Sequence, residues 1–487
     1  MAFKLFKRKN YADVIIRGGK IYTLDPEYPQ AAAIAVKDGR VLLAGDAEEI
    51  APFEGPDTRY IELDGAYAVP GLIDCFGTPA KTTLRGTYLQ LDAEMDEEAV
   101  ISAVSAFFAA RPGAEFCLAV DIDEELTAGP FSHEDNNDWP TFREKLSEAF
   151  PDKPVVLVAS NGLNMLINDA AMDITKERAE ELNVLTITPA FVIDSVVSTD
   201  YDLCIKQLCE VSGYYAGQGV TSVYASEQYS FFEKMYRDLL MDAFQAGQIR
   251  QRYFGSFQVR RRLEPQSVLY TAERKRTVCQ ELGGKINFNT IEMRFSSGED
   301  APDCMEEEYI RAVGEMASDK GYNMRFIALD RQAALTALDV AGNLSASYRK
   351  QSFAVVHKED FTEEELGSVY TGDAVELVVG GARKKSELTG EELIRDLTET
   401  ASRTIGAFGL GTLEEGKWAD LAVFAEDPFE EGAKPQEAAM TILAGETVYE
   451  RGKDNASDWA RTMADAIGVN TAELFGEQDE EIEREDV

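Results

Sequence analysis

Val69-Pro-Gly-Leu-Ile-Asp-Cys-Phe-Gly-Thr78 is the stretch on which the fold turns. A Pro-Gly turn feeds an apolar run too short for a helix and bounded by turn residues, the pattern of a buried strand in a parallel sheet. Side chains alternate along a strand, so Phe76 and Thr78 share a face at its C-terminal end, where barrel enzymes keep their chemistry. Cys75 alternates to the other face and reads as core.

Outward from that strand the chain has two textures. From 13 to 61 short β-like runs alternate with glycine turns, and Asp38-Gly39 is a strong hairpin signal. The same texture returns in Lys417-Trp-Ala-Asp-Leu-Ala-Val-Phe and Met440-Thr-Ile-Leu-Ala-Gly-Glu-Thr-Val-Tyr. Neither end carries enough strands for a stable sheet alone. Between them strand-like runs at 116–120, 154–159, 220–225, 285–294, 324–329, 353–356 and 375–379 alternate with helical segments, as a βα fold requires. Capping boxes are predicted at Thr362 with Glu365 and at Thr389 with Glu392.

With 487 residues the chain accommodates one large barrel and one smaller domain. Its 88 acidic residues against 48 basic ones give a net charge of -40, a field that repels phosphate backbones and anionic lipid surfaces. Nucleic acid and membrane are therefore not expected partners. The six cysteines lack paired ligand spacing and read as reduced thiols. No apolar stretch follows the basic N-terminus and no run approaches about 18 apolar residues, so a cytoplasmic location is expected. The acidic run from 478 to 487 reads as a solvated tail.

The opening stretch resembles the first barrel strand of the amidohydrolase superfamily, Pro-Gly-Leu-Ile-Asp followed by a residue and then His-X-His. Gly411-Thr-Leu-Glu-Glu-Gly-Lys-Trp-Ala-Asp-Leu421 is similar to the family's Gly-X-Leu-X-X-Gly-Lys-X-Ala-Asp-Leu signature. Trp139-Pro-Thr-Phe-Arg, Lys153-Pro-Val-Val-Leu-Val and Asn161-Gly-Leu-Asn-Met-Leu-Ile-Asn168 look like the branch of N-substituted formamide deformylases. The resemblance implies a (β/α)₈ TIM-type barrel over 70–408, with a small β-sandwich formed by N- and C-terminal strands, 1–69 and 409–455. A C-terminal helix and acidic tail are expected over 456–487.

The frame is kept while the ligands are replaced. Phe76 and Thr78 stand at the two histidine positions of the first strand, Leu163 at the histidine of the Gly-His-X-X-X-X-Asn motif, with Gly162 and Asn168 kept, and Ile327 at that of the His-Ala-Ile-Gly-Asp-Arg-Ala segment. Glu292 lies near the place of the lysine that bridges metals as its carbamate. Only His357, in Ala354-Val-Val-His, matches a ligand, and the last-strand aspartate has no counterpart beyond Asp373 before the strand. The family uses zinc or another divalent metal; a chain with 2 histidines cannot build that site, so no cofactor is expected. His133 reads as a surface residue. Asp74, Asp121, Asp123 and Asp330 are the carboxylates that a hard cation would need to find clustered.

Three functions remain open on sequence. The first is an amidohydrolase-like protein that has lost metal-dependent hydrolysis of C–N bonds and binds a small molecule at the barrel mouth or a partner, self-association included. The second is a hydrolase of amides or formamides rewired around His357 or a carboxylate cluster. The third is a structural subunit of an assembly.

Overall fold

The computed structural model describes residues 11–77, 79, 88–92, 94–123, 125–127, 141–159, 164–197, 201–225, 233–259, 262–280, 285–298, 304–357, 375–379, 388–433 and 437–454. Thr78, His133, Leu163, Asp373, the Thr362–Glu365 capping box and the acidic tail lie outside them, and of Phe76 only the backbone is described.

The first strands are β1 (Val14–Tyr22), β2 (Gln30–Lys37), β3 (Arg40–Gly45), β4 (Arg59–Glu62) and β5 (Tyr67–Pro70), followed directly by β6 (Leu72–Gly77). The middle of the chain adds β7 (Leu89–Gln90), β8 (Cys117–Ile122), β9 (Val155–Ala159) and β10 (Met165–Ile167). Next come β11 (Val220–Ala225), β12 (Arg252–Val259), β13 (Ile286–Phe295), β14 (Asn323–Ala328), β15 (Phe353–His357) and β16 (Val375–Val379). The last three are β17 (Leu421–Phe424), β18 (Met440–Leu443) and β19 (Glu446–Glu450).

Both ends of the chain share one eight-stranded sheet, ordered β19-β18-β17-β5-β1-β2-β3, with β4 also pairing β1. Asp38 and Gly39 form the two-residue turn between β2 and β3, both with positive φ (51° and 74°), as a hairpin turn of this length favours. The sheet curls back on itself: Val41 N donates to Lys417 O at 2.9 Å, and Ala419 N donates to Gly39 O at 3.0 Å. Val14, Ile16, Ile34 and Val36 from one end thereby meet Leu421, Val423 and Ile442 from the other in one core.

The middle of the chain departs from the expected barrel. Among the described residues β6, β11, β12, β13, β14, β15 and β16 form one seven-stranded parallel sheet, and β7, β8, β9 and β10 form a second. In a closed (β/α)₈ ring β8 and β9 would stand between β6 and β11; here β6 pairs directly with β11, Asp74 opposite Val223. A strand has two hydrogen-bonding edges, and once β11 takes this one the ring cannot pass through β8. The helical segment Asp396–Thr404 touches the outer strands β6 and β16. Among the described residues the result is a partial barrel rather than the closed ring expected. Thr389 precedes the helix Gly390–Arg395 as expected, but its side chain makes no cap hydrogen bond.

Outside the parallel sheet, Met324, Phe326, Phe353 and Val355 pack with Ile310, Val313, Ala334, Leu338 and Ala341 of the helices Glu307–Asp319 and Arg331–Ser347. Alternation then sends Arg325, Ile327, Ala354 and Val356 to the concave face.

Candidate functional site

The concave face of the parallel sheet holds a buried polar network. Glu292 of β13 and Arg325 of β14 are direct neighbours in the strand register, with Nε of Arg325 3.6 Å from Oε2 of Glu292. Gln258 of β12 donates to Glu292 Oε1 at 2.8 Å, and the Tyr224 hydroxyl on β11 donates to Glu292 Oε2 at 3.3 Å. The Arg325 guanidinium lies over the Tyr224 ring, 4.4 Å from its centroid, a cation–π contact. Burial pushes the Tyr224 phenol far up, the Glu292 carboxylate adds to the shift, and Arg325 opposes it. The phenol is therefore a donor at any physiological pH.

Apolar residues also line this face. Ile327 pairs with Val356 in register, and both belong to one buried cluster with Ile73, Cys75 and Tyr224. Cys75 is buried, its Sγ 3.6 Å from Ala401 O, but it belongs to the cluster of this face and not to the opposite face expected for it, because β6 meets β11 through an irregular register. His357 follows Val356 on the same strand, so alternation gives it the face of Phe353 and Val355, which is packed against the helices. The structure therefore does not bring His357 beside Ile327, although both are buried.

The four aspartates do not converge. Asp121 accepts from Gln90 Nε2 at 2.7 Å, Asp123 caps its own loop through Glu125 N, and Asp330 caps the helix Arg331–Ser347 through Ala333 N. Among the described residues no three histidine, cysteine or acidic side chains form a group able to hold a metal ion. Among its described side chains the concave face also offers zinc few donors. Glu292 is already engaged by Gln258, Tyr224 and Arg325, and the guanidinium sets a fixed positive charge beside it.

Sequence reading placed Glu292 near the site but missed Arg325, Tyr224 and Gln258. The available signal was an arginine inside the apolar run Met324-Arg-Phe-Ile-Ala, since a charged side chain in a buried strand demands a partner on a neighbouring strand.

Residues 364–449 match a family model described as "Amidohydrolase family". The comparisons support a relationship to the amidohydrolase superfamily. The chain is 26% identical over 117 residues to the exoenzymes regulatory protein AepA of Pectobacterium carotovorum, an alignment covering 24% of this chain and 25% of that protein. It is 52% identical over 42 residues to imidazolonepropionase of Streptococcus sanguinis, covering 9% and 10% of the two chains. The chain thus matches a quarter or less of the length of these curated relatives. In overall fold it is similar to an uncharacterized metal-dependent hydrolase from Pyrococcus horikoshii, with a TM-score of 0.54 and 16% identity over 90% of this chain and all of that one. That likeness concerns the fold. Among the described residues no helix is long and apolar enough to cross a membrane.

Proposed function

We propose that this hydrolase-like protein is a pseudoenzyme of the amidohydrolase type, a barrel-derived scaffold that binds a small molecule without metal-dependent hydrolysis. The observation that carries the reading is the Glu292–Arg325 pair. A resident guanidinium, stacked on Tyr224 and held beside Glu292, supplies positive charge on the concave face. An amidohydrolase of the resembled branch instead uses a divalent ion there to activate water. With Ile327 and Val356 beside the pair, the face offers fixed charge and apolar contact, which suits binding and orienting a polar ligand. The formamide deformylase resemblance makes small amides and N-formyl compounds the first ligands to try.

The test is metal analysis of protein purified without chelator, together with hydrolysis assays on N-formyl and simple amide substrates with zinc, manganese or iron supplied. Substoichiometric metal and no turnover are expected. Stoichiometric metal that is lost on Glu292→Gln or His357→Ala would overturn the proposal in favour of a rewired hydrolase.

A further inference from the structure

The second sheet is built as a complete three-layer body. On β8, β9 and β10 alternate residues part cleanly: Leu118, Val120, Val156, Val158, Met165 and Ile167 take one face, where Ala171, Met172, Val192 and Ile193 from the helices Asp169–Glu181 and Pro189–Val196 cover them. Cys117, Ala119, Val155, Leu157 and Leu166 take the other, covered by Val100, Val104, Phe142 and Leu146 from the helices Glu97–Ala110 and Thr141–Ala149. A sheet covered on both faces by its own helices is the arrangement of an independent α/β domain and leaves no bare face that must pack on another body. Among the described residues every extensive contact of these elements is with another of them, and β6 pairs with β11 instead.

The chain attaches this body at one end of the parallel sheet. It leaves the sheet at Gly77, the C-terminal end of β6, and returns through the helix Tyr201–Gly217. That helix finishes at the opposite end: Leu72 N, at the start of β6, donates to Gly219 O at 3.1 Å. Seventeen residues of helix span about 25 Å. Lying against β11, the helix therefore begins near the C-terminal ends of the strands, the end at which parallel α/β folds carry their ligand sites.

We propose that residues 88–197 are an autonomously stable α/β module, attached at the mouth end of the partial barrel, that unfolds and refolds as a unit without unfolding the barrel strands. The module stands on the ligand side of the molecule, and its autonomy does not depend on which ligand binds.

Native cysteines report on both bodies in the intact chain. Cys117 is buried in the module core and Cys75 on β6 in the parallel-sheet body, while Cys204 is buried on the returning helix that lies against β11. The experiment is pulsed alkylation along a urea series, read by mass spectrometry, on the full chain and on its Val156→Ala variant. Val156 packs only in the module core. The expected result is that Val156→Ala moves the urea midpoint for Cys117, or abolishes its protection, while the midpoints of Cys75 and Cys204 stay in place. An equal shift of all three thiols would mean a single cooperative fold and would overturn the proposal.

Discussion

Arg252, the first residue of β12, and Asp420, the residue before β17, grip each other through two hydrogen bonds, Nε to Oδ2 at 2.8 Å and Nη2 to Oδ1 at 3.2 Å. Both side chains are out of water, at 4% and 2% exposure. Asp420 also accepts from Ala444 N at 2.7 Å through Oδ1 and from Gly71 N at 2.8 Å through its carbonyl. The Arg252 guanidinium rests 3.9 Å from the centroid of the Trp418 ring, and Arg40 lies 4.1 Å from the same ring. The Gly-Lys-Trp-Ala-Asp-Leu run is thus the joint between the terminal sheet and the base of the parallel sheet, a structural role that needs no catalysis.

Breaking that joint from one side leaves a charge buried alone, and such losses cost about 3–5 kcal/mol. Asp420→Asn or Arg252→Met should therefore lower the free energy of unfolding by roughly that amount in a urea titration. The double variant Arg252→Met with Asp420→Leu removes both charges and should be more stable than either single one. Full additivity of the two losses would show that the pair does not act as a unit.

Asn168 explains why an asparagine stands at the end of the Gly162–Asn168 frame. Its Oδ1 accepts from Val155 N at 2.9 Å and Ala171 N at 3.1 Å, and its Nδ2 donates to Phe150 O and Lys153 O, each at 2.9 Å. It is wholly buried and stands at the N-cap of the helix Asp169–Glu181. Leaving a buried polar group unpaired costs about 1–3 kcal/mol, so Asn168→Ala should lose at least about 2 kcal/mol. Asn168→Asp keeps the acceptors but aims a carboxylate at two carbonyls, and should also destabilise. Unfolding that matches wild type in either variant would contradict this network.

Acid should loosen the cap of the helix Arg331–Ser347. Burial works to raise the Asp330 pKa, but hydrogen bonds from Ala333 N, Ser297 N and the Ser297 hydroxyl hold it below its ordinary value of 3.8. A depressed folded-state pKa gives stability that is fully present above the unfolded value and is lost as pH falls through the folded one. Wild type should thus lose stability below about pH 4 partly through this group. Asp330→Asn, which still caps but does not titrate, should show a shallower acid limb in thermal melts from pH 5 to 2.5.

Much of this was legible in the sequence, and the exceptions share a cause. The Asp38-Gly39 turn, the strands of both ends and most strands of the parallel sheet announce themselves by apolar runs between turn residues. β12 did not, because its concave face carries Arg252, Ser256 and Gln258 and its middle a glycine, which blurs the period-2 signal. Ring closure was inferred from the order of elements, yet order does not say which strand takes a free edge, and β6 pairs with β11 across more than a hundred intervening residues. Glu292 could be approached by resemblance; its partner Arg325 could not, since the pair is made across two strands.

That cross-strand pair leads to the sharpest expectation. Returning histidines to the first strand as Phe76→His with Thr78→His should not create a metal site, because Cys75 rather than Phe76 is the β6 side chain in the concave-face cluster, and on that face the Arg325 guanidinium stays and Glu292 remains engaged by Gln258 and Tyr224. A guanidinium keeps its proton in a protein, so it cannot give way to an incoming cation by losing charge. The triple variant Cys75→His, Ile327→His and Arg325→Met instead removes the competing charge, frees the Glu292 carboxylate from its ion pair and supplies two imidazoles on the concave face itself. Zinc affinity measured by calorimetry should be undetectable in the double variant and measurable in the triple one. Because Arg325→Met by itself strands Glu292, the triple variant should also be more stable with zinc than without it, visible as a rise in melting temperature on adding the metal. Stoichiometric zinc binding by Phe76→His with Thr78→His alone would show that Arg325 does not hold the place of the metal.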